Sequence, residues 1–308
     1  MAALVLAELR RITTRRLIRV TVLLAVVGIA IGGIVAFART GSISEAEYQQ
    51  RVIAAEDREA AQDEQIVACL ESHGISPQDE ISDEMARECF PEKEPAGADD
   101  PRFPRRRLEG VLQGVIGVLA LAGWALGASL VGAEFASRGM TTLLTWEPRR
   151  GRVFVAKVAA ALVAMSVFAV AALALLALAM WPALAFHGAP LGADDPSLWS
   201  LAGTIARGVA VTALAAGMGF AIAMIGRNTA IALGAGFAYI IVLENILGTV
   251  VEDWRRWLLL GNVIVLVSGQ EGTEVPGRTV AGAAIFLSAV AVTLLVAAAA
   301  TFRTRDLA

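Results

Sequence analysis

Lysine is nearly missing from these 308 residues: it occurs only at Lys93 and Lys157, against 24 arginines. A phosphate-cradling loop needs a Lys after a Gly-rich turn. Lys93 follows Pro-Glu and Lys157 follows Val-Ala, so the chain does not bind ATP by that device. Histidine and cysteine occur twice each, and no His-Glu-x-x-His stretch is present. A zinc site at Cys69 and Cys89 would have only His73 nearby and need a carboxylate as fourth ligand, so no metal site is expected. Charge is scarce too: 18% of residues, against about 25% in soluble chains. With 56% hydrophobic residues and a mean hydropathy of +0.64, a soluble globular protein is excluded.

What fills the chain instead is a series of apolar runs of about 20 residues, each long enough to cross roughly 30 Å of hydrocarbon as helix. They cover 17–37, 108–131, 153–181, 201–225, 229–250 and 280–301. The expected fold is an all-α membrane protein with six transmembrane helices, an N-terminal interfacial helix and an external acidic helical insertion. Residues 1–16 set Leu4, Leu6, Leu9 and Ile12 beside four arginines, a pattern suited to a helix lying on the membrane surface. The first run has a rival reading as a secretory signal, since Ala36-Phe37-Ala38 fits a small-x-small cleavage site and Thr14-Arg15-Arg16-Leu17 loosely matches a twin-arginine signal. It is longer than a signal core of about 7–15 residues and five more runs follow, which favours an uncleaved anchor.

The net charge of −3 hides a sorted distribution. Residues 39–107 hold 17 acidic and 9 basic side chains, whereas the short segments 1–16 with Arg19, 133–157, 226–228 and 302–308 hold 13 basic and 4 acidic. The positive-inside bias then puts those short segments, including the tail 302–308 and both termini, in the cytoplasm and 39–107 outside. Within 39–107, Ser44 to Leu70 reads as helix, after which Pro77, Pro91, Pro95, Pro101 and Pro104 break the chain. Cys69 and Cys89 fall in this external segment, where two thiols are expected to form a disulfide. The segment 251–279 contains an apolar run, Trp257 to Val267, too short to cross and read as half-buried or re-entrant.

Small residues at four-residue spacing, such as Gly28 and Gly32, Gly110 and Gly114, and Gly123 and Gly127, suit close helix packing in lipid. Glu244 with Asn245 in the fifth run and Arg207 in the fourth are intramembrane polar groups, functional suspects by default. Glu244 and Asn245 are candidates for a translocation path, and Arg207 reads as snorkelling to the outer surface. Gly127-Ala128-Ser129 has the look of a rhomboid-type protease serine. His187 lies beyond the far end of the next span, most of a bilayer away from Ser129, so no catalytic residue is expected.

The cytoplasmic stretch 132–157, Gly-Ala-Glu-Phe-Ala-Ser-Arg-Gly-Met-Thr-Thr-Leu-Leu-Thr-Trp-Glu-Pro-Arg-Arg-Gly-Arg-Val-Phe-Val-Ala-Lys, is longer than a turn requires. Phe135 to Thr145 can form a short helix ended by Pro148 and Gly151. Its order of acidic residue, Arg-Gly, Thr-rich turn, Leu-Leu, Pro-Arg-Arg and Lys at the next span resembles the type 2 ABC export permeases of bacteria. On that resemblance 133–152 is a coupling loop docking on an ATPase, 1–16 an elbow helix and 251–279 a re-entrant hairpin. Glu134, Phe135, Arg138, Thr141, Thr142, Leu143, Pro148, Arg149 and Arg150 would carry the contact. The resemblance further implies a bacterial inner-membrane location, a separate ABC ATPase subunit holding ATP and Mg, and a second permease copy or homologue. No cofactor on this chain is expected. Membrane lipid is the remaining expected partner, and no nucleic acid is. The alternative is a non-transporting sensor or assembly protein that binds through 39–107.

Overall fold

The computed structural model describes residues 1–73, 100–137, 139–191, 195–244, 246–247, 252–272 and 275–304. Among them the structure is helical, and the only pairing of extended backbone is a single bridge between Phe103 and Gly188.

Helix α1 (Ala2–Thr14) and helix α2 (Arg16–Ala38) are separated by one extended residue, Arg15 (φ −67, ψ 133). α1 packs against α6 (Arg150–His187), turning Ile12 inward. α2 also lies on α6 but leaves most of its apolar surface outward, as a lipid-facing helix does. α3 (Glu45–Ser72) starts where Ser44 accepts a hydrogen bond from Glu47 N–H at 3.2 Å, a side-chain N-cap.

The centre is the pair α4 (Arg105–Ala136) and α7 (Leu198–Gly226), which make the most extensive helix contact. Glycine lets the backbones touch. A Cβ on Gly123 would meet Thr212 O at 2.8 Å, and one on Gly127 or Gly219 would run into Ala216 O or Trp124 O. Such contact is how helices associate where no water drives them together. The expected pairing at Gly123 and Gly127 is therefore present, whereas Gly28, Gly110, Gly114 and Gly234 have open space beside them. Four-residue spacing does not say which face meets a neighbour.

Among the described residues, besides a small apolar cluster of Leu126, Met165 and Ala216, two large ones fill the bundle. One gathers Phe103, Leu112, Ile116, Leu173 and Leu287. The other, at the opposite end, gathers Ile12, Met140, Phe154, Phe220 and Phe302.

Among the described residues five helices are long and apolar enough to cross a membrane: α2, α4, α6, α7 and α10 (Val280–Thr304). The fifth sequence run, 229–250, differs from them. α8 (Thr229–Ala238) begins with Asn228 accepting from Ala230 N–H at 2.8 Å, then widens into a π turn over Tyr239–Glu244. Thr229–Glu244 falls short of the roughly 20 residues a span needs, so it does not by itself supply a sixth crossing among the described residues. A 3-10 turn, Glu252–Trp257, leads to α9 (Leu259–Ser268), which buries Val265, Leu266 and Val267 against α7 and α10. Cys89, Arg138 and Asn245 lie outside the described residues, and so does the pairing of Cys69 with Cys89.

Candidate functional site

The site begins where α4 runs out. Ser137 ends it, and α5 (Gly139–Trp146) forms an eight-residue bridge to α6. Phe135 therefore belongs to the last turn of the long helix, and the short helix starts four residues later than the sequence suggests. Met140 is buried in the α1–α6 cluster and fixes α5 to the bundle. The outer face then presents Thr141, Thr142, Thr145 and Trp146, the last 85% exposed. Leu143 is half-buried, and Pro148 and Arg149 are exposed in the turn that follows.

Behind that face lies a buried ionic cluster. Glu134 on α4 is 2% exposed and Lys157 on α6 is 5% exposed. Lys157 Nζ donates to Glu8 Oε1 at 2.8 Å and sits 2.6 Å from Glu134 Oε2. Arg15 Nη2 donates to Glu134 Oε1 at 2.9 Å, and Arg11 Nη1 approaches the same oxygen at 3.4 Å. Arg15 also reaches the carbonyls of Ser129 and Leu130, at 3.3 and 3.2 Å. Glu8 and Arg11, three residues apart, lie on one side of α1, and Arg15 joins them from the extended residue that follows it. Desolvating such charges costs several kcal/mol each unless they are paired, and here each faces an opposite charge. Three separate elements, α1, α4 and α6, are thereby joined at one point.

The structure brings Glu134 to this cluster with its carboxylate turned inward, on partners within the chain. Arg150 likewise donates to the carbonyls of Phe302 and Arg303, at 3.3 and 3.4 Å, tying the start of α6 to the end of α10. The outward group is thus Thr141, Thr142, Pro148 and Arg149, joined by Trp146, which the motif reading passed over. Lys157 did carry a signal: a lysine about one turn inside an apolar run needs a buried counter-charge. Its partners on α1 lie about 150 positions away in sequence, out of reach of local patterns.

Glu244 is far from this cluster. It is 9% exposed and accepts from Leu260 N–H at 2.7 Å, while Tyr239 Oη accepts from Leu259 N–H at 3.1 Å. Both cap the N-terminus of α9. Asn262 completes the hairpin, donating to Leu258 O at 2.6 Å and accepting from Arg278 Nε at 2.7 Å. Arg207 is half-buried, donates to Thr204 Oγ1 at 2.9 Å and lays its guanidinium against Gly269.

Ser129 and His187 are at opposite ends of the bundle. Ser129 lies beside Arg15, while His187 Nδ1 is 3.0 Å from Thr40 Oγ1 and its ring stacks on Phe37. The α2–α3 end has its own charged anchor. The Arg102 guanidinium is buried, donating to Asp100 at 2.9 to 3.1 Å and to Glu45 at 2.9 Å, with Tyr48 4.2 Å beneath it. Burial opposes charge on Asp100, yet the Arg102 side-chain and backbone hydrogen bonds hold its carboxyl below the ordinary value. Hydrogen bonds from Gln49 and then Arg102 lower that of Glu45.

A family model described as ABC-2 family transporter protein matches residues 2–266. No curated protein and no solved structure matches the chain.

Proposed function

Because the chain belongs to the ABC-2 transporter family, a family of multi-pass membrane permeases, we propose that it is the permease subunit of an ABC exporter, driven by a separate ATP-hydrolysing subunit. The observation that carries this reading is the face of α5. It is an exposed aromatic and hydroxyl surface on a short helix clamped between two long apolar helices. Thr141, Thr142, Thr145, Trp146, Pro148 and Arg149 receive the ATPase, which holds ATP and Mg. Arg138 joins them from the connection before α5.

Glu134 and Lys157 act from behind that surface. A buried ion cluster that loses several kcal/mol when one partner goes makes α1, the end of α4 and the start of α6 move as one body. Nucleotide-driven closure of two ATPases then tilts the elbow and coupling helices together, a rigid-body switch. The path forms between this chain and a second copy or homologue, with α8 and the segment after it completing the sixth crossing. Glu244 and Asn245 border the outer mouth, where Glu244 holds the re-entrant helix α9 in place. The basic ends, both termini included, face the cytoplasm of a bacterial inner membrane. The insertion lies outside, closed by a Cys69–Cys89 disulfide.

The test is co-purification in detergent with the candidate ATPase. Trp146→Ala is expected to weaken the complex at least about tenfold, as loss of a buried aromatic anchor does, with the melting temperature of the isolated permease unchanged. Absence of any ATPase complex under every nucleotide condition overturns the proposal and leaves the external segment, as a sensor, to explain the protein.

A further inference from the structure

A groove runs along the outside of the bundle between the first turns of α6 and the last turns of α10. Phe154 and Val155 form one wall and Leu295, Val296 and Ala299 the other, with Arg303 closing one end. It encloses about 220 Å³, room for a slender chain but not for a helix about 10–12 Å across. From Val292, where the lining begins, to Arg303 the groove follows α10 for about 16 Å at 1.5 Å per residue. That is about half of the roughly 30 Å hydrocarbon core, the depth of one leaflet.

Its charged end is uniform in sign. Arg303 is exposed, and no carboxylate among the described residues lies within ion-pair distance of it. Its guanidinium lies across Gly151, with Nη2 3.1 Å from where a Cβ would stand, so the absent side chain is what seats it. Arg152, exposed and next in the chain to Gly151, adds a second basic group near that end.

We propose that this groove binds an anionic phospholipid, its phosphate on Arg303 with Arg152 behind it and one acyl chain along the apolar strip. An apolar strip one leaflet long ending in arginines that no described carboxylate pairs with matches such a molecule in both length and charge, and basic pockets between membrane helices recognise anionic head groups in this way. The inference rests on the membrane-spanning reading and is independent of any ATPase.

The purified full chain, delipidated in detergent, is titrated with phosphatidylglycerol or phosphatidylcholine, and bound lipid is counted by native mass spectrometry beside a thermal melt. The wild type is expected to retain phosphatidylglycerol in preference. Arg303→Gln is expected to cut its retention about fivefold, the worth of one arginine near an anionic surface, with phosphatidylcholine unchanged. Val296→Trp, placed on the outward face, is expected to reduce both lipids without shifting the melt. Equal retention of the two lipids by the wild type, or no effect of Arg303→Gln, overturns the proposal. So does displacement by millimolar inorganic phosphate alone, which would make the site a phosphate site. A loss of oligomer with Val296→Trp while lipid retention holds would show that protein covers this face. ATPase coupling can fail while lipid selectivity persists, so the two readings fail separately.

Discussion

The two ends of the bundle use the same chemistry to different effect. At one, Arg15 and Lys157 hold Glu134, with both charged groups of the central pair out of water. At the other, Arg102 is equally hidden, but its partner Glu45 is 56% exposed and Asp100 27%. A cation held by wet carboxylates can be released by salt or acid. A carboxylate and an ammonium sealed together cannot be separated without stranding one of them. The first arrangement suits a joint that transmits force, and the second suits the root of an appended helix.

The sharpest way to break this contrast is Glu134→Ala. It leaves Lys157 buried without its closest counter-charge and is expected to cost about 3–5 kcal/mol, read as a large fall in melting temperature in detergent. Adding Lys157→Met should recover much of it, since apolar groups can replace a buried pair. If the single change is harmless, the cluster is not a joint.

Arg102→Ala should cost about 1 kcal/mol, because its partners are partly solvated, and it should speed proteolysis at the start of α3 rather than lower the global melt. Acid sharpens the same point. Asp100 and Glu45 have carboxyls held below their ordinary values, so their contribution is complete above those values and is lost as pH falls through the lowered ones. Cleavage near α3 should therefore accelerate below about pH 4. High salt should mimic acid there, since exposed pairs are screened far more than buried ones.

The smallest effect is expected at Arg51, paired with Glu47 one turn away at 2.9 Å on the open face of α3. Arg51→Ala should change the melt by about 0.5 kcal/mol or less.

How much of this was legible in the sequence follows from how far each interaction reaches. Ser44 was readable as the start of an external helix because capping is local. The long apolar runs were readable because their length alone matches the bilayer. The 229–250 run was readable as apolar but its interior was not: Tyr239 and Glu244 turn polar atoms onto α9, and the helix widens into a π turn there. Glu134 was expected at the ATPase contact, whereas its carboxylate is buried and faces Arg15 and Lys157. The feature that turns it inward, a basic face on α1 folding back over α6, joins positions over a hundred residues apart. Trp146 drew no attention because a tryptophan near an apolar segment is ordinarily an interface anchor; only its exposure on a short clamped helix sets it apart.

The backbone contact between α4 and α7 has a kinematic consequence. Where Gly127 abuts Ala216 and Gly219 abuts Trp124, there is no side-chain layer to shear and no clearance for one helix to roll on the other. The pair is a stator. Relative movement of helices within this chain is then left to the more exposed α2 and α10, at the periphery of the bundle.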